Sequence, residues 1–148
     1  MCLNYICYII YITNITEVKF KRGDALIKIL FDSEIPIYLQ LKNEIIKAIA
    51  RGELEQGETL PSIRDLSVDI GVNLHTINKA YNLLKDEGYL VIDRRKGAMV
   101  SVTTDKKEEF IDSMEEELEV FLCRCICKGL TKEEVVKLIN NKYDDIKR

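Results

Sequence analysis

The sequence predicts a mainly α-helical fold with one small β-hairpin, and three patterns support this class. In residues 60–88, apolar side chains recur at every third or fourth position in two short stretches, which is the spacing of amphipathic helices. Residues 89–102 change to the pattern of two strands around a basic turn. Residues 105–147 return to helical spacing. We therefore expect a small helical domain with a hairpin, followed by a helical segment.

The first part of the chain has no pattern that connects it to the rest, so we expect residues 1–25 to be an N-terminal extension. Residues 5–12 have strong strand propensity without clean alternation, so they could be an added strand, a sticky tail or an artefact, and we favour the last. Residues 21–24 can be encoded by a purine-rich stretch that resembles a ribosome-binding site, and Leu26 could then be a start read from a TTG codon. The extension is therefore a possible start-site artefact, a hypothesis that intact-mass measurement of the native protein would test.

The predicted domain covers residues 26–103 and begins with a short strand and a long helix. Apolar residues alternate in residues 25–33, which is typical of a strand. Pro36 suits the first turn of a helix, and Gly52 follows its end. One stripe of this helix is apolar and is expected to face the core: Tyr38, Leu41, Ile45, Ile46 and Ile49.

The next helix is short and is marked at both ends. Ser62 and Asp65 have the spacing of a capping box, and Pro61 cannot lie deeper in a helix. Gly71 is free to take the positive φ that often ends a helix. Its apolar face consists of Ile63, Leu66 and Ile70.

The helix predicted over residues 73–87 has one apolar side and one polar side. Asn73 is a suitable N-cap. The polar side offers amides, a hydroxyl, an imidazole and a cation, which suit hydrogen bonds to base edges and phosphates. A merely solvated face is the alternative, and the pairing with the preceding helix favours nucleic acid. The apolar side is Ile77, Ala80, Tyr81 and Leu84, and the polar side is His75, Thr76, Asn78, Lys79 and Asn82.

Residues 89–92 and 98–102 are predicted to be the strands of a hairpin whose tip, residues 93–97, contains Arg94, Arg95 and Lys96. Three adjacent cations beside a recognition helix would contact phosphate or the minor groove of DNA. Helix, turn, helix and basic hairpin together describe a winged helix-turn-helix that binds double-stranded DNA.

Residues 35–102 resemble the GntR family of bacterial transcription regulators, in particular its short YtrA-like branch. The resemblance is carried by residues 36–40, by Gly52-Glu53-Leu54 with Gly57, and by the segments 60–66 and 71–77 with Ala80-Tyr81, Leu84 and Glu87-Gly88. It implies a homodimeric repressor or activator that reads a palindromic operator with the second helix and the wing. It also suggests repression of a transporter operon or of the protein's own operon.

Carried over by position, the resemblance implies that Arg64 contacts phosphate, that Asn73, His75 and Thr76 lie at the DNA-facing start of the recognition helix, and that Gly97 is the wing glycine. The wing departs from the family pattern Gly-x-Gly-Thr-Phe-Val, because residues 95–100 read Arg-Lys-Gly-Ala-Met-Val. Leu74 stands where many relatives have Arg or Pro. The predicted DNA-binding residues are Ser62, Arg64, Asn73, His75, Thr76, Asn78, Lys79, Arg94, Arg95, Lys96 and Gly97.

Residues 104–148 are expected to form two helices that mediate dimerisation. Asp105 and Glu108 have capping spacing, Gly129 ends the first helix, and Thr131 with Glu134 begins the second. Two antiparallel helices cannot bury both of their apolar stripes alone, whereas packing against a second chain would do so. The predicted dimerisation residues are Ile111, Met114, Leu118, Phe121 and Cys125 in the first helix and Val135, Leu138 and Ile139 in the second.

Composition is ordinary for a globular chain of 148 residues, with 47% apolar and 32% charged residues. The net charge of −3 is unusual for a DNA-binding protein. Residues 35–104, however, carry nine basic and nine acidic residues, whereas residues 105–148 carry nine and twelve and therefore hold the whole deficit. Local placement of cations would have to supply the attraction to phosphate.

The five cysteines are an odd number without CxxC spacing, which favours a reducing cytoplasm over a disulfide framework. The apolar run 5–12 lacks the features of a secretory signal and is too short to span a bilayer. On a helix, Cys123 and Cys127 share a face while Cys125 points away, so the three sulfurs should not converge on one ion. Small apolar core cysteines are one interpretation, and a redox or metal sensor across the dimer is the other.

No motif for catalysis, no phosphate-binding loop and no cofactor site is found, and His75 is the only histidine. An enzyme is therefore not expected. Two alternatives to a simple DNA-binding regulator stay open. One is a winged-helix module that binds protein instead of DNA, and the other is a regulator that responds to oxidants through its cysteines. A small-molecule effector is possible but unidentified.

Overall fold

The computed structural model describes residues 15–20, 25–103 and 107–147, and the chain divides into two compact units at residue 102. In the described part of the chain, the elements of the first unit are β1 (Ile15–Lys19), β2 (Leu26–Leu30), α1 (Ile37–Ala50), α2 (Ile63–Ile70), α3 (Leu74–Asp86), β3 (Leu90–Asp93) and β4 (Gly97–Val100). The second unit contains α4 (Lys107–Cys127) and α5 (Lys132–Lys147). The predicted class, mainly α with a small β wing, is confirmed.

Three helices enclose the core of the first unit. The α1 helix contributes Leu41, Ile45 and Ala48, which are buried, while Ile46 and Ile49 are partly buried against the same core. The apolar sides of α2 and α3 complete it with Leu66, Ile70, Ile77, Ala80, Tyr81 and Leu84. The amphipathic patterns of the three helices therefore predicted their buried sides correctly.

The N-terminal boundary differs from the expected one at residue 26. The β1 strand pairs antiparallel with β2, from Ile15 opposite Leu30 to Lys19 opposite Leu26. Thr16, Val18 and Phe20 are buried, so this strand belongs to the domain core. Its signal in the sequence is weak because Thr16, a polar residue, lies on the buried face. Residues 5–12 lie outside the described residues.

The side chain of Gln40 holds the end of β2 against α1. Its Nε2 donates to the carbonyl oxygens of Leu30 at 2.9 Å and Ile35 at 2.7 Å, and its Oε1 accepts from the Leu30 amide at 2.9 Å. Both amide hydrogens and the carbonyl of this buried side chain are therefore satisfied. A buried polar group without such partners would destabilise the domain.

The wing contains more strand pairing than the predicted hairpin. Asp93 pairs with Gly97, which shifts each strand by about one residue and leaves a three-residue tip, 94–96. On its other edge β4 pairs with residues 57–60: the Leu60 amide donates to the Ala98 carbonyl and the Val100 amide to the Glu58 carbonyl, both at 2.8 Å. This short pairing, outside the named strands, ties the wing to the segment that enters α2.

In the second unit, a tight turn at Gly129 joins α4 to α5. The Thr131 amide donates to Glu134 Oε2 at 2.8 Å and the Glu134 amide to Thr131 Oγ1 at 3.2 Å, so the predicted capping box is present. The predicted cap of α4 at Asp105 lies outside the described residues. Among the apolar side chains described in this unit, only Cys125 and Val135 are buried. None of the described helices has the length and apolar character needed to cross a membrane.

Candidate nucleic-acid interface

The α2 helix begins at the predicted cap. Ser62 is extended, and its Oγ accepts from the Asp65 amide at 3.1 Å and donates to Asp65 Oδ2 at 2.8 Å. The carboxylate therefore returns to the hydroxyl and not to the Ser62 amide, unlike in a full capping box. Ser62, predicted to bind DNA, is exposed at the start of α2 but its hydroxyl hydrogen is already donated. Arg64, the second residue of α2, is exposed.

The turn between α2 and α3 depends on one glycine. Gly71 has φ 77°, and its amide and that of Val72 both donate to the Ser67 carbonyl at 3.0 Å. This left-handed conformation is strained for residues with a Cβ. Asn73 then caps α3, because its Oδ1 accepts from the His75 amide at 2.8 Å. The two helices are thus joined by only three residues, as a helix-turn-helix requires.

Burial confirms which side of α3 is available to a partner. His75, Asn78, Lys79 and Asn82 are exposed, and Thr76 is partly buried. Leu74 is also exposed, with 44% of its surface accessible, so the start of the polar side includes one apolar side chain. The described side chains therefore present to solvent the combination of amide, imidazole and apolar groups that can contact base edges.

Lys79 is not fully free, although it is exposed. Its Nζ lies 3.8 Å from the centre of the Tyr38 ring, which is a cation–π contact between α3 and α1. A second link is the ion pair between Lys42 and Glu87, at 2.8 Å. Sequence reasoning treated Tyr38 only as a core residue. An aromatic residue in α1 and a lysine in α3 carry no local signal that they meet.

Tyr81 fixes α3 to the start of α2. Its hydroxyl donates to the Pro61 carbonyl at 2.9 Å. Burial raises the pKa of Tyr81 far above its usual value, so the phenol stays protonated and can donate at any physiological pH. The angle between the two helices of the motif is therefore held by a partly buried hydrogen bond as well as by packing.

The tip of the wing is organised by Asp93, which sequence reasoning did not single out. Its Oδ1 accepts from the amides of Arg95 at 2.7 Å and Lys96 at 2.9 Å. Those two hydrogen bonds, with the charge of Lys96, hold the pKa of Asp93 below its usual value. Gly97 has φ 82° and closes the loop. An Asp three residues before a Lys in a tight turn is the signal that could have found this role.

The cations of the tip are exposed. Within residues 15–20, 25–103 and 107–147, the ion pairs observed involve other lysines and arginines, and none engages Arg94, Arg95 or Lys96. Asp93 offsets part of the charge of Lys96, but three adjacent cations, none of them in an ion pair among these residues, leave the tip positive and favour binding of phosphate. The predicted interface residues therefore fall on the exposed side of α3, the start of α2 and the tip of the wing, all in the first unit.

Comparison with known proteins agrees with this architecture. Residues 37–100 match the family described as bacterial regulatory proteins, gntR family. The HTH-type transcriptional regulator YhcF of Bacillus subtilis is 33% identical over 108 residues, which is 72% of this chain and 89% of YhcF. The HTH-type transcriptional repressor YtrA of the same organism is 28% identical over 78% of this chain and 90% of YtrA.

A solved structure shows the same similarity. YtrA from Sulfolobus acidocaldarius, described as a GntR-family transcription factor, is 40% identical, with a TM-score of 0.57 over 68% of this chain and 97% of that one. The family match, residues 37–100, covers the helix-turn-helix and the wing, whose geometry suits binding to DNA. The chain therefore belongs to the GntR family of DNA-binding transcriptional regulators.

Proposed function

We propose that this regulator is a cytoplasmic repressor that binds a palindromic operator as a homodimer. The observation that carries the proposal is the combination of an exposed polar side on α3 with three exposed cations at the wing tip. The similarity to YtrA of Bacillus subtilis, which is named a repressor, supports the direction of regulation. The proposed targets are a transporter operon and the protein's own operon. No catalytic step is part of this function.

The two surfaces have different roles in this proposal. His75 and Asn78, on the exposed side of α3, contact base edges in the major groove, where imidazole and amide groups can discriminate bases. Arg64 and the wing cations contact phosphates, which position the protein without reading sequence. Lys79 keeps its contact with Tyr38 and adds positive charge beside the groove. The remaining interface residues are Ser62, Asn73, Thr76 and Gly97, which shape the backbone that carries these groups.

A second copy of the chain is the partner we propose for α4 and α5. Both helices expose large apolar side chains, which a soluble protein seldom leaves uncovered as a contiguous patch. A two-fold dimer would bury them and would place two recognition helices in half-sites about 34–36 Å apart, or a multiple of that distance. The proposed seam consists of Ile111, Leu118, Phe121, Leu138 and Ile139, which are exposed, and Met114, which is partly buried, together with Cys125 and Val135, which are already buried within the unit.

The test is fluorescence anisotropy of the purified full chain with a duplex from its own upstream region and with a scrambled duplex, at two salt concentrations. Tighter binding to the upstream duplex, weakening as salt rises, is expected. If neither duplex is preferred, selection from a random DNA pool follows. Recovery of a palindromic motif would place the operator elsewhere and would remove autoregulation from the proposal.

Recovery of no motif would contradict the proposal and favour the alternative of a protein-binding module. A transcription assay from the selected operator then decides the sign of regulation, because a repressor lowers transcript as protein is added. An increase in transcript would overturn repression while leaving DNA binding intact.

A further inference from the structure

Two cysteines lie exposed on one side of α4. Cys123 and Cys127 are both exposed, whereas Cys125 between them is buried. One residue advances an α-helix by about 100°, so Cys125 lies about 200° away from each of the other two. Cys123 and Cys127 are four residues apart and therefore neighbours on the same side.

The side that carries the two thiols is a shallow groove. The charged groups at its border are Arg124 and Lys128, which follow the two cysteines by one residue each, and Glu119 at its N-terminal end. The proposed dimer seam, which includes Leu118 and Cys125, faces the opposite side of α4. The groove would therefore stay open when the seam is covered. It is lined by Glu119, Val120, Cys123, Arg124, Cys127 and Lys128.

The spacing of the thiols disfavours a disulfide between them. Neighbouring side chains at i and i+4 have Cβ atoms about 5–6 Å apart, whereas a disulfide needs about 3.5–4.5 Å. A bond between the sulfurs would therefore distort the last turns of α4. A metal ion between two thiolates spans a longer gap. With bonds as long as the zinc–sulfur bond, about 2.3 Å, an ion in line between two sulfurs separates them by about 4.6 Å.

The number of ligands limits which ion fits. Among the described residues, no group of three or more His, Cys, Asp and Glu side chains could hold a metal ion. A tetrahedral zinc site therefore lacks ligands here, since structural zinc takes four. Thiolates select soft cations such as Cu(I), and a d10 ion of this kind can be held by two sulfurs in linear coordination.

We propose that Cys123 and Cys127 form a two-thiolate site for Cu(I). Each thiol loses its proton and forms one sulfur–copper bond, so two protons leave for each ion bound and the oxidation state of copper does not change. The resulting complex carries one negative charge, and the guanidinium of Arg124 and the ammonium of Lys128 lie beside it to offset that charge. This site does not depend on the proposed operator or on repression.

The test is competition for Cu(I) between the full-length reduced protein and bicinchoninate, a coloured Cu(I) chelator, without oxygen. One ion per chain is expected for the wild type. Cys123→Ser and Cys127→Ser should each lower the affinity for Cu(I) by at least about 100-fold, because loss of a ligand costs more than loss of a supporting contact. The matched control is the double variant Cys2→Ser, Cys7→Ser, which keeps the groove and should keep one ion.

Circular dichroism and elution volume check that the serine variants keep their helices and their oligomeric state. Three results would overturn the site: no Cu(I) retained by the wild type, loss of the ion in the Cys2/Cys7 variant, or equal affinity in the wild type and the two single groove variants. The last result would mean adventitious binding to single thiols. Anisotropy with operator DNA on the same samples separates a failure of this site from a failure of the DNA-binding proposal.

Discussion

At the start of the recognition helix, Leu74 is an exposed apolar residue among polar ones. Its accessible fraction of 44% exceeds that expected for a residue of the core, and its neighbours Asn73 and His75 are both exposed. An apolar side chain in the major groove can contact only the methyl group of thymine among the groups that base edges present. We therefore expect Leu74 to contribute to base preference and not to stability.

The substitution Leu74→Ala should remove a preference for thymine at one position in each half-site. The variant should bind the original operator and an operator with that thymine replaced about equally well. The wild type should lose about 1–3 kcal/mol of binding free energy on the same replacement. Binding of all single-base operator variants measures this. Val68→Ala, at an exposed apolar residue of α2, is the control, and an equal loss of preference in that variant would contradict the role of Leu74.

The wing cations should act through charge alone. Replacing Arg95 by Ala removes one phosphate contact, so the slope of the logarithm of the binding constant against the logarithm of salt should become less negative by about 0.9. Anisotropy titrations at four or more salt concentrations measure the slope. Lys137→Ala, at an exposed cation of α5, should leave it unchanged. An unchanged slope in Arg95→Ala would exclude this side chain from the phosphate contacts.

The conformational order of the wing tip should depend on pH through Asp93. Its pKa is lowered by the amides of Arg95 and Lys96, so the charged form is favoured in the folded state. A group with a lowered folded pKa contributes stability that is complete above its unfolded pKa and is lost as pH falls through the folded value. The tip should therefore be fully ordered at neutral pH and loosen only in acid, below the usual range of aspartate.

Chemical shifts of the Arg95 and Lys96 amides should follow the protonation of Asp93 in an NMR titration. In Asp93→Asn the amide side chain keeps an acceptor but cannot titrate, so the acid transition of those two signals should disappear. Asp69→Asn is the control, because Asp69 is exposed in α2 and forms neither of these hydrogen bonds. Persistence of the transition in Asp93→Asn would show that another group causes it.

At the scale of elements, the strand β1 extends the domain beyond the residues that resemble the family. Phe20 follows this strand and exposes only 3% of its surface, whereas Phe31, after β2, exposes 41%. The two phenylalanines thus form a matched pair that differs in burial. If β1 is part of the folded protein in the cell, the buried member should matter for stability and the exposed member should not.

We expect Phe20→Ala to lower the free energy of unfolding by about 3–5 kcal/mol, the usual cost of emptying a buried aromatic site. Phe31→Ala should change it by no more than about 0.5 kcal/mol. Urea unfolding followed by circular dichroism compares the two variants. Equal effects would mean that β1 does not contribute to the core, and would favour Leu26 as the start of the domain.

The same elements show how much of the fold follows from the sequence. The caps Ser62, Gly71 and Asn73 of α2 and α3 were predicted to the residue, because each acts on backbone groups two to four positions away. The pairing of β1 with β2 and of residues 57–60 with β4 was missed, because their partners are distant in the sequence and their patterns are short. The contact of Lys79 with Tyr38 was missed for the same reason.

At the scale of the whole molecule, the net charge is distributed unevenly between the DNA-binding segment and the C-terminal helices. The segment 35–104 is neutral, so its affinity for DNA depends on where its cations lie and not on its net charge. Residues 105–148 hold the net charge of −3, on helices that we propose to join two chains. An acidic dimerisation segment would be repelled by DNA, which favours contacts made by the recognition helix and wing alone.

The two sides of α4 offer a matched pair of exposed apolar residues. Leu118 and Val120 expose similar fractions, 51% and 46%, but they lie about 200° apart around the helix. Only Leu118 belongs to the proposed seam. Leu118→Glu should bring a charge into the dimer interface, where burying it is costly, and should yield monomers in light-scattering measurements at concentrations where the wild type is dimeric.

Two linked recognition helices should bind a palindrome about 100-fold or more tighter than one helix binds a half-site. Leu118→Glu should therefore weaken binding to a palindrome by that factor. Its affinity for a single half-site should equal that of the wild type. Val120→Glu should remain dimeric and keep its affinity for the palindrome. If Val120→Glu dissociates while Leu118→Glu does not, the two chains meet on the side that carries Cys123 and Cys127. The groove would then be closed in the dimer, and copper binding would be expected only in the monomer.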